Sequence, residues 1–142
     1  MGLFGMFKKD ERERPHVLVV DDSSDIVNMV SGVLRAIGYA VITAPDGAQA
    51  MKLAVAERPR LILLDVNMPV VDGRQTLALL KGDPNTRDIP VIMATAEQLG
   101  KDVEDAFALG AVDYIVKPIR IPLLVEKVRQ RVPPPERGVA PK

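Results

Sequence analysis

The 142-residue chain has no cysteine and no tryptophan, and a single histidine. Without cysteine there is no disulfide framework, no thiolate nucleophile and no sulfur-based metal site. One histidine, His16, builds neither a histidine cluster nor a serine triad. Any metal must therefore be held by oxygen ligands. Net charge is missing too: 19 Lys+Arg balance 19 Asp+Glu, a formal +0 at pH 7, so no overall basic field recommends nucleic acid or an anionic membrane as partner. Electrostatic function has to be local. No apolar run exceeds five residues, far below the roughly 18 of a bilayer-spanning helix. The Gly-rich phosphate cradles of nucleotide-binding proteins are absent, so direct binding of ATP is not expected. Met1 to Lys9 places its lysines after its apolar residues, the reverse of a secretory signal, which predicts a cytoplasmic protein.

The length fits one domain. Residues 1–15 form an extension ending in a charged stretch and Pro15, and residues 133–142 form a tail containing Pro133-Pro134-Pro135; both read as flexible or polyproline-like. Residues 16–132 form the domain proper, with 13 basic and 15 acidic groups. Leu3, Phe4, Met6 and Phe7 in the extension make a candidate docking peptide or short interfacial helix, in a segment too short to be helical alone. Within the domain, five short apolar runs alternate with helical patterns: Val17 to Val20, Ala40 to Thr43, Leu61 to Leu64, Val91 to Ala94 and Tyr114 to Val116. Several are continuously apolar, as strands covered on both faces should be. Ile26, Val30, Val33, Leu34 and Ile37 follow a helical period with Gly38 as its stop, and Asp46 is placed to cap a helix through Glu57. Further helices fit residues near 73–81, 100–109 and 121–131, the last with Pro122 in its first turn. This alternation predicts an α/β domain with a parallel sheet, whose ligands bind beyond the carboxyl ends of the strands.

Those ends carry a consistent chemistry. Asp21 and Asp22 follow the first run, Asp65 the third, Thr95 the fourth and Lys117 the fifth. Singly, each has a structural use: the aspartates and Ser23 as caps, Thr95 as a strand residue, Lys117 as a solvated charge. Jointly they offer hard oxygen ligands for Mg²⁺, with Mn²⁺ as a substitute, and a cation for a second anion. Clustered carboxylates repel one another, and a divalent ion relieves that conflict. The set suits phosphoryl transfer onto a carboxylate. A metal held by Asp21 and Asp22, the ammonium of Lys117 and the hydroxyl of Thr95 would neutralise the incoming group, leaving Asp65 as nucleophile.

The chain resembles the receiver domains of bacterial two-component response regulators. The resemblance rests on Val19-Val20-Asp21-Asp22-Ser23, Leu64-Asp65-Val66-Asn67-Met68-Pro69 with Asp72-Gly73, Pro90 to Ala96, and Gly110 to Pro118, and covers roughly His16 to Val132. It implies a flavodoxin-like, doubly wound fold: a five-stranded parallel sheet in the order 2-1-3-4-5, with five helices. It implies Asp65 as phosphoacceptor, supplied by a histidine kinase or a histidine phosphotransfer protein. Asp22 and Asp65 would bind Mg²⁺ directly, Asp21 through water, and Asn67 through its backbone carbonyl. Thr95 and Lys117 would hold phosphoryl oxygens, with Lys117-Pro118 in cis. Tyr114 matches the family's switch aromatic, turning inward as Thr95 is drawn to the phosphate and reshaping the face of helix 4, strand 5 and helix 5 for a downstream partner. Asn67 and Glu97 match the pair found in chemotaxis-type receivers with short-lived phosphate, which predicts fast self-dephosphorylation.

Three readings of the function compete: a phosphorylatable switch that is not a turnover enzyme, a phosphorylation-independent interaction module, and an aspartate phosphatase. The intact constellation disfavours the second. Asn67, where the phosphatase class places a second acid, disfavours the third. Only the Pro-rich tail follows Val132, so output is expected through protein contacts, onward phosphotransfer or a phosphorylation-dependent homodimer rather than a nucleic-acid-binding or catalytic effector. Ile119, Ile121 and the last helix are candidates for such a dimer, although the same apolar stripe suits that helix's core face.

Overall fold

The structure, a computed structural model, describes residues 14–68, 72–96 and 101–134. Five parallel strands, β1 (His16–Val20), β2 (Ala40–Ala44), β3 (Leu61–Asp65), β4 (Val91–Thr95) and β5 (Asp113–Val116), pair in the order β2-β1-β3-β4-β5. Five helices accompany them: α1 (Ser24–Ala36), α2 (Gly47–Glu57), α3 (Gly73–Gly82), α4 (Lys101–Ala108) and α5 (Ile121–Arg131). The fold class, strand order and helix count are those expected. Among the described residues, no helix is long and apolar enough to cross a membrane.

The continuous apolar runs become strands because alternate residues feed two separate cores. Leu18, Val20, Ile62, Leu64 and Met93 face Ala50 and Ala54 of α2, Leu77 and Leu80 of α3 and Ala106 of α4. Val17, Val19, Leu61, Leu63 and Ile92 face Val30 and Leu34 of α1 and Leu124 and Val128 of α5. Each fully buried leucine or isoleucine contributes about 1.5–3 kcal/mol over exposure, so slipping a strand by one residue would still bury its apolar atoms but would misplace the polar residue at its end. Register therefore matters most at the strand ends.

Local chemistry sets the helix limits. The Ser23 hydroxyl accepts from the Ile26 amide (3.3 Å) at the start of α1, and Gly38 follows its end at φ 108°, a backbone conformation that glycine adopts without a Cβ penalty. Asp46 caps α2 by accepting from the Gln49 amide at 2.8 Å. Asp72 and Gln75 form a capping box at α3, each backbone amide bonded to the other's side chain at 3.0 Å. The start of α5 has no side-chain cap and carries Pro122 in its first turn.

At Gly73 the start of α3 lies tight against the end of β3. The Gly73 amide donates to the Val66 carbonyl (2.8 Å), and a Cβ there would lie 2.1 Å from the carbonyl oxygen of Asp65. No side chain fits without displacing the end of β3. Far from this point, the hydroxyl of fully buried Tyr39 donates to the Val132 carbonyl, tying the α1–β2 corner to the end of α5. Burial pushes the Tyr39 phenol up, against the opposing pull of the nearby Arg129 cation.

Gly73→Ala forces β3 and α3 apart and lowers stability by about 1–3 kcal/mol in urea unfolding. Tyr39→Phe costs about 1–2 kcal/mol at neutral pH by orphaning the Val132 carbonyl. Because the folded state holds the phenol proton more tightly than the unfolded chain, the wild type loses this advantage as pH rises above the ordinary value of 10.0, and the gap to Tyr39→Phe narrows there. A gap unchanged from pH 7 to 11 would contradict this account.

Candidate functional site

The pairing register assembles the site. Val20 lies beside Leu64, so Asp21 and Asp65 emerge next to each other; Asp65 pairs with Ala94, and Thr95 pairs with Val116, one residue before Lys117. The Lys117 amide donates to the Thr95 carbonyl at 2.8 Å, fixing the start of the loop after β5. The Lys117-Pro118 peptide is cis, as the resemblance implied. Asp21, Asp65 and Thr95 are buried, whereas Asp22 is exposed to solvent. One carboxylate oxygen from each of Asp21, Asp22 and Asp65 falls in a group whose members all lie within 4.8 Å of one another.

Lys117 reaches into this group from above β5. Its Nζ donates to Asp21 Oδ2 and to Asp65 Oδ1, both at 3.0 Å. Asp21 Oδ1 accepts from the Ser23 amide at 2.9 Å, and Asp65 Oδ1 accepts also from the Asn67 amide at 3.2 Å. Both bonds to Asp65 fall on Oδ1, so Oδ2 has no protein donor among the described residues. Burial raises the Asp65 carboxyl above its ordinary value, with Asp21 adding repulsion, and the lysine only partly offsets them. For Lys117 itself, burial opposes the charge, but its bonds and attraction to Asp21 and Asp65 outweigh that and hold it above its ordinary value. The lysine stays charged.

Three carboxylates against one ammonium leave two negative charges uncompensated in a small volume. Hard oxygen donors, one of them solvent-facing, fit a small divalent cation that keeps part of its water shell. The residues present therefore fit the Mg²⁺ expected from their pattern.

The other expected residues fall as follows. The Asn67 side chain is exposed at the rim, just after β3. Thr95 is buried at the end of β4. Tyr114 on β5 is half-buried rather than exposed: its ring meets Phe107 edge-on (centroids 6.0 Å apart), and the Lys127 ammonium sits 5.5 Å from its centre. Lys127 is held there by Asp113 at 2.7 Å. Glu97, Pro69, the apolar residues Leu3 to Phe7 and the tail from Pro135 lie outside the described residues. Sequence reasoning gave Lys117 a phosphate-holding and charge-balancing task but did not foresee that it bonds two carboxylates at once. It also gave Gly73 no task, although the Asp72-Gly73 pair at a helix start was the available signal.

Comparison with known proteins agrees with this fold. Residues 17–129 match the family model for the response regulator receiver domain. The transcriptional regulatory protein PrrA of Mycobacterium tuberculosis is 42% identical over 115 residues, covering 81% of this chain and 48% of PrrA. The chain thus spans about half the length of that curated relative. Among solved structures, chemotaxis protein CheY4 of Vibrio cholerae superposes with a TM-score of 0.80 at 34% identity, covering 84% of this chain and 99% of CheY4. The receiver domain of sensor histidine kinase PA1611 from Pseudomonas aeruginosa, solved with magnesium coordinated in its active-site cleft, gives 0.77 at 30% identity, covering 83% and 97%. With residues 17–129 matched to the family model and its fold shared with solved receiver structures, the chain belongs to the response regulator receiver domain family of two-component systems.

Proposed function

We propose that this chain is a phosphorylation-dependent switch that accepts a phosphoryl group on Asp65 from the phosphohistidine of a histidine kinase or histidine phosphotransfer protein. The observation that carries this reading is the Lys117 ammonium bonded to both Asp21 and Asp65 at 3.0 Å, beside an accessible Asp22. It fixes the Asp65 carboxylate through Oδ1 and leaves Oδ2 to attack. A new O–P bond forms from Oδ2 as the P–N bond to the donor imidazole breaks, and the imidazole departs with the electron pair and takes up a proton. Asp22, Asp65 and the Asn67 carbonyl, with Asp21 acting through water, would hold Mg²⁺, which would supply charge neutralisation for the phosphoryl oxygens. Lys117 releases its carboxylates to hold one phosphoryl oxygen, and the Thr95 hydroxyl holds another. Asn67 and Glu97 shorten the lifetime of the acyl phosphate by acting on its hydrolytic water.

Output runs through protein contacts. Moving Thr95 toward the phosphate opens space for Tyr114 to leave Phe107 and Lys127, which alters the face formed by α4, β5 and α5. That face binds a downstream protein or a second copy of the chain. We assign the receiver to residues 16–132, with 1–15 and 133–142 as extensions, and place its chemistry in the cytoplasm with its kinase.

Incubation with acetyl phosphate and Mg²⁺ tests the chemistry. Mass spectrometry should locate one phosphoryl group on Asp65 in the wild type and none in Asp65→Asn or after chelation; no modification of the wild type would favour the phosphorylation-independent module. The same variant probes the electrostatics. Asn removes one of three mutually repelling carboxylates from a buried position, so Asp65→Asn should be more stable than wild type by about 1–2 kcal/mol in metal-free buffer. Mg²⁺ should narrow that difference by stabilising the wild type more. A less stable Asp65→Asn in metal-free buffer would show that the lysine bridge outweighs the repulsion.

A further inference from the structure

Tyr114 stands at an edge of the sheet. β5 closes the strand order, and Tyr114 lies opposite Met93 of β4. Successive side chains along a strand point to opposite faces. Ile115 accordingly belongs to the core shared with α5, whereas Tyr114 packs against the core that contains Ala106 of α4. Asp113 shares the α5 side with Ile115, and its Oδ1 accepts from the Lys127 ammonium at 2.7 Å and from the Tyr114 amide at 2.8 Å.

The contacts of Lys127 do not end at that carboxylate. Its Nζ also lies 5.5 Å from the centre of the Tyr114 ring, so one α5 side chain reaches past the strand edge to a ring that meets α4. The side chains of Lys127 and Asp113 are each 19% exposed, and a cation partly withdrawn from water is drawn to an aromatic face more strongly than one in bulk solvent. Phe107 provides the ring's other contact, edge-on at 88° and itself 46% exposed. Among the described residues no hydrogen bond holds the Tyr114 hydroxyl, in contrast to the Tyr39 hydroxyl on the Val132 carbonyl. Contacts of the ring therefore keep Tyr114 where it stands, and the cation among them is fixed by a carboxylate one residue away.

We propose that Lys127 is a positioning residue for Tyr114: fixed by Asp113, its ammonium holds the ring in the outer position and sets how often the ring turns inward before any phosphoryl group arrives. Two states separated by a few contacts exchange without a ligand, and their populations follow the contacts that each one keeps. The inner state forfeits the cation–ring attraction, so that attraction counts wholly against it. An ion pair serving only to tie α5 to β5 would use Asp113 and leave the ring indifferent to the charge. The bearing on signalling rests on the function proposed above: a phosphoryl group on Asp65 has to overcome this hold, and a chain lacking it populates the inner ring more fully at the same phosphate occupancy.

The ring is easy to observe, because Tyr39 and Tyr114 are the two tyrosines of the chain and tryptophan is absent. The full chain labelled with 3-fluorotyrosine gives two fluorine resonances, and Tyr114→Phe assigns them. Broadening by a soluble paramagnetic agent then reports how exposed each ring is, without phosphate or metal. Lys127→Gln should raise the inward population about two- to fivefold and protect the Tyr114 resonance from the agent. Lys127→Arg, which keeps a cation, should restore wild-type broadening, and Asp113→Asn should act in the same direction as Lys127→Gln. The Tyr39 resonance should stay in place throughout, which checks the fold. A Tyr114 resonance equally or more exposed in Lys127→Gln, or Lys127→Arg indistinguishable from Lys127→Gln, would overturn the proposal. Failure of the wild type to take up phosphate from acetyl phosphate, with Tyr114 still protected in Lys127→Gln, would overturn the switch reading and leave the hold of Lys127 on the ring standing.

Discussion

An ammonium shared between two buried carboxylates is the interaction on which the rest of this structure depends. Lys117 follows β5, Asp65 ends β3 and Asp21 follows β1, so three segments far apart in the chain must finish at one level for the 3.0 Å contacts to exist. The level is carried into the loops by bonds such as that from the Lys117 amide to the Thr95 carbonyl. It is set by the parallel ladders, whose registers are in turn held by apolar side chains interlocking with helices on both faces. The two cores act as an alignment device for five polar side chains.

The same arrangement sets stability against chemistry. A carboxylate whose ionisation is disfavoured by burial and by a like neighbour is a poor choice for stability, and a good one for a group that must meet an anion and a cation in turn. The surrounding apolar layers, with Leu18, Ile62, Leu64 and Met93 fully enclosed, compensate. Gly73 shows how little slack remains, because α3 begins against the very carbonyl that precedes the reactive loop.

Much of this was legible in the sequence because it is local. Strand ends announce themselves where an apolar run meets Asp21, Asp65, Thr95 or Lys117, and the caps at Ser23, Asp46 and Asp72 use partners three residues away. What was not legible depends on neighbours distant in the chain. The lysine's two partners are 96 and 52 residues away, so its bridging role needs the sheet order and the register together. The Gly73 contact needs the packing of a helix on the preceding strand. The half-buried state of Tyr114 depends on Phe107 and Lys127 from two different helices. Composition reported a cancelled charge because a sum discards position, and the sheet order and register bring Asp21, Asp22 and Asp65 together.

The Tyr39–Val132 bond gives the last helix a mechanical character. α5 is pinned at its far end by a buried phenol and, one residue earlier, by the Arg131 contact to Val112, whereas its near end follows directly from the loop carrying Lys117. With Leu124 and Val128 fully buried between its two ends, the helix is held against the sheet along its length, and what it offers to a partner is its outer face, where Ile121 and Leu123 are exposed.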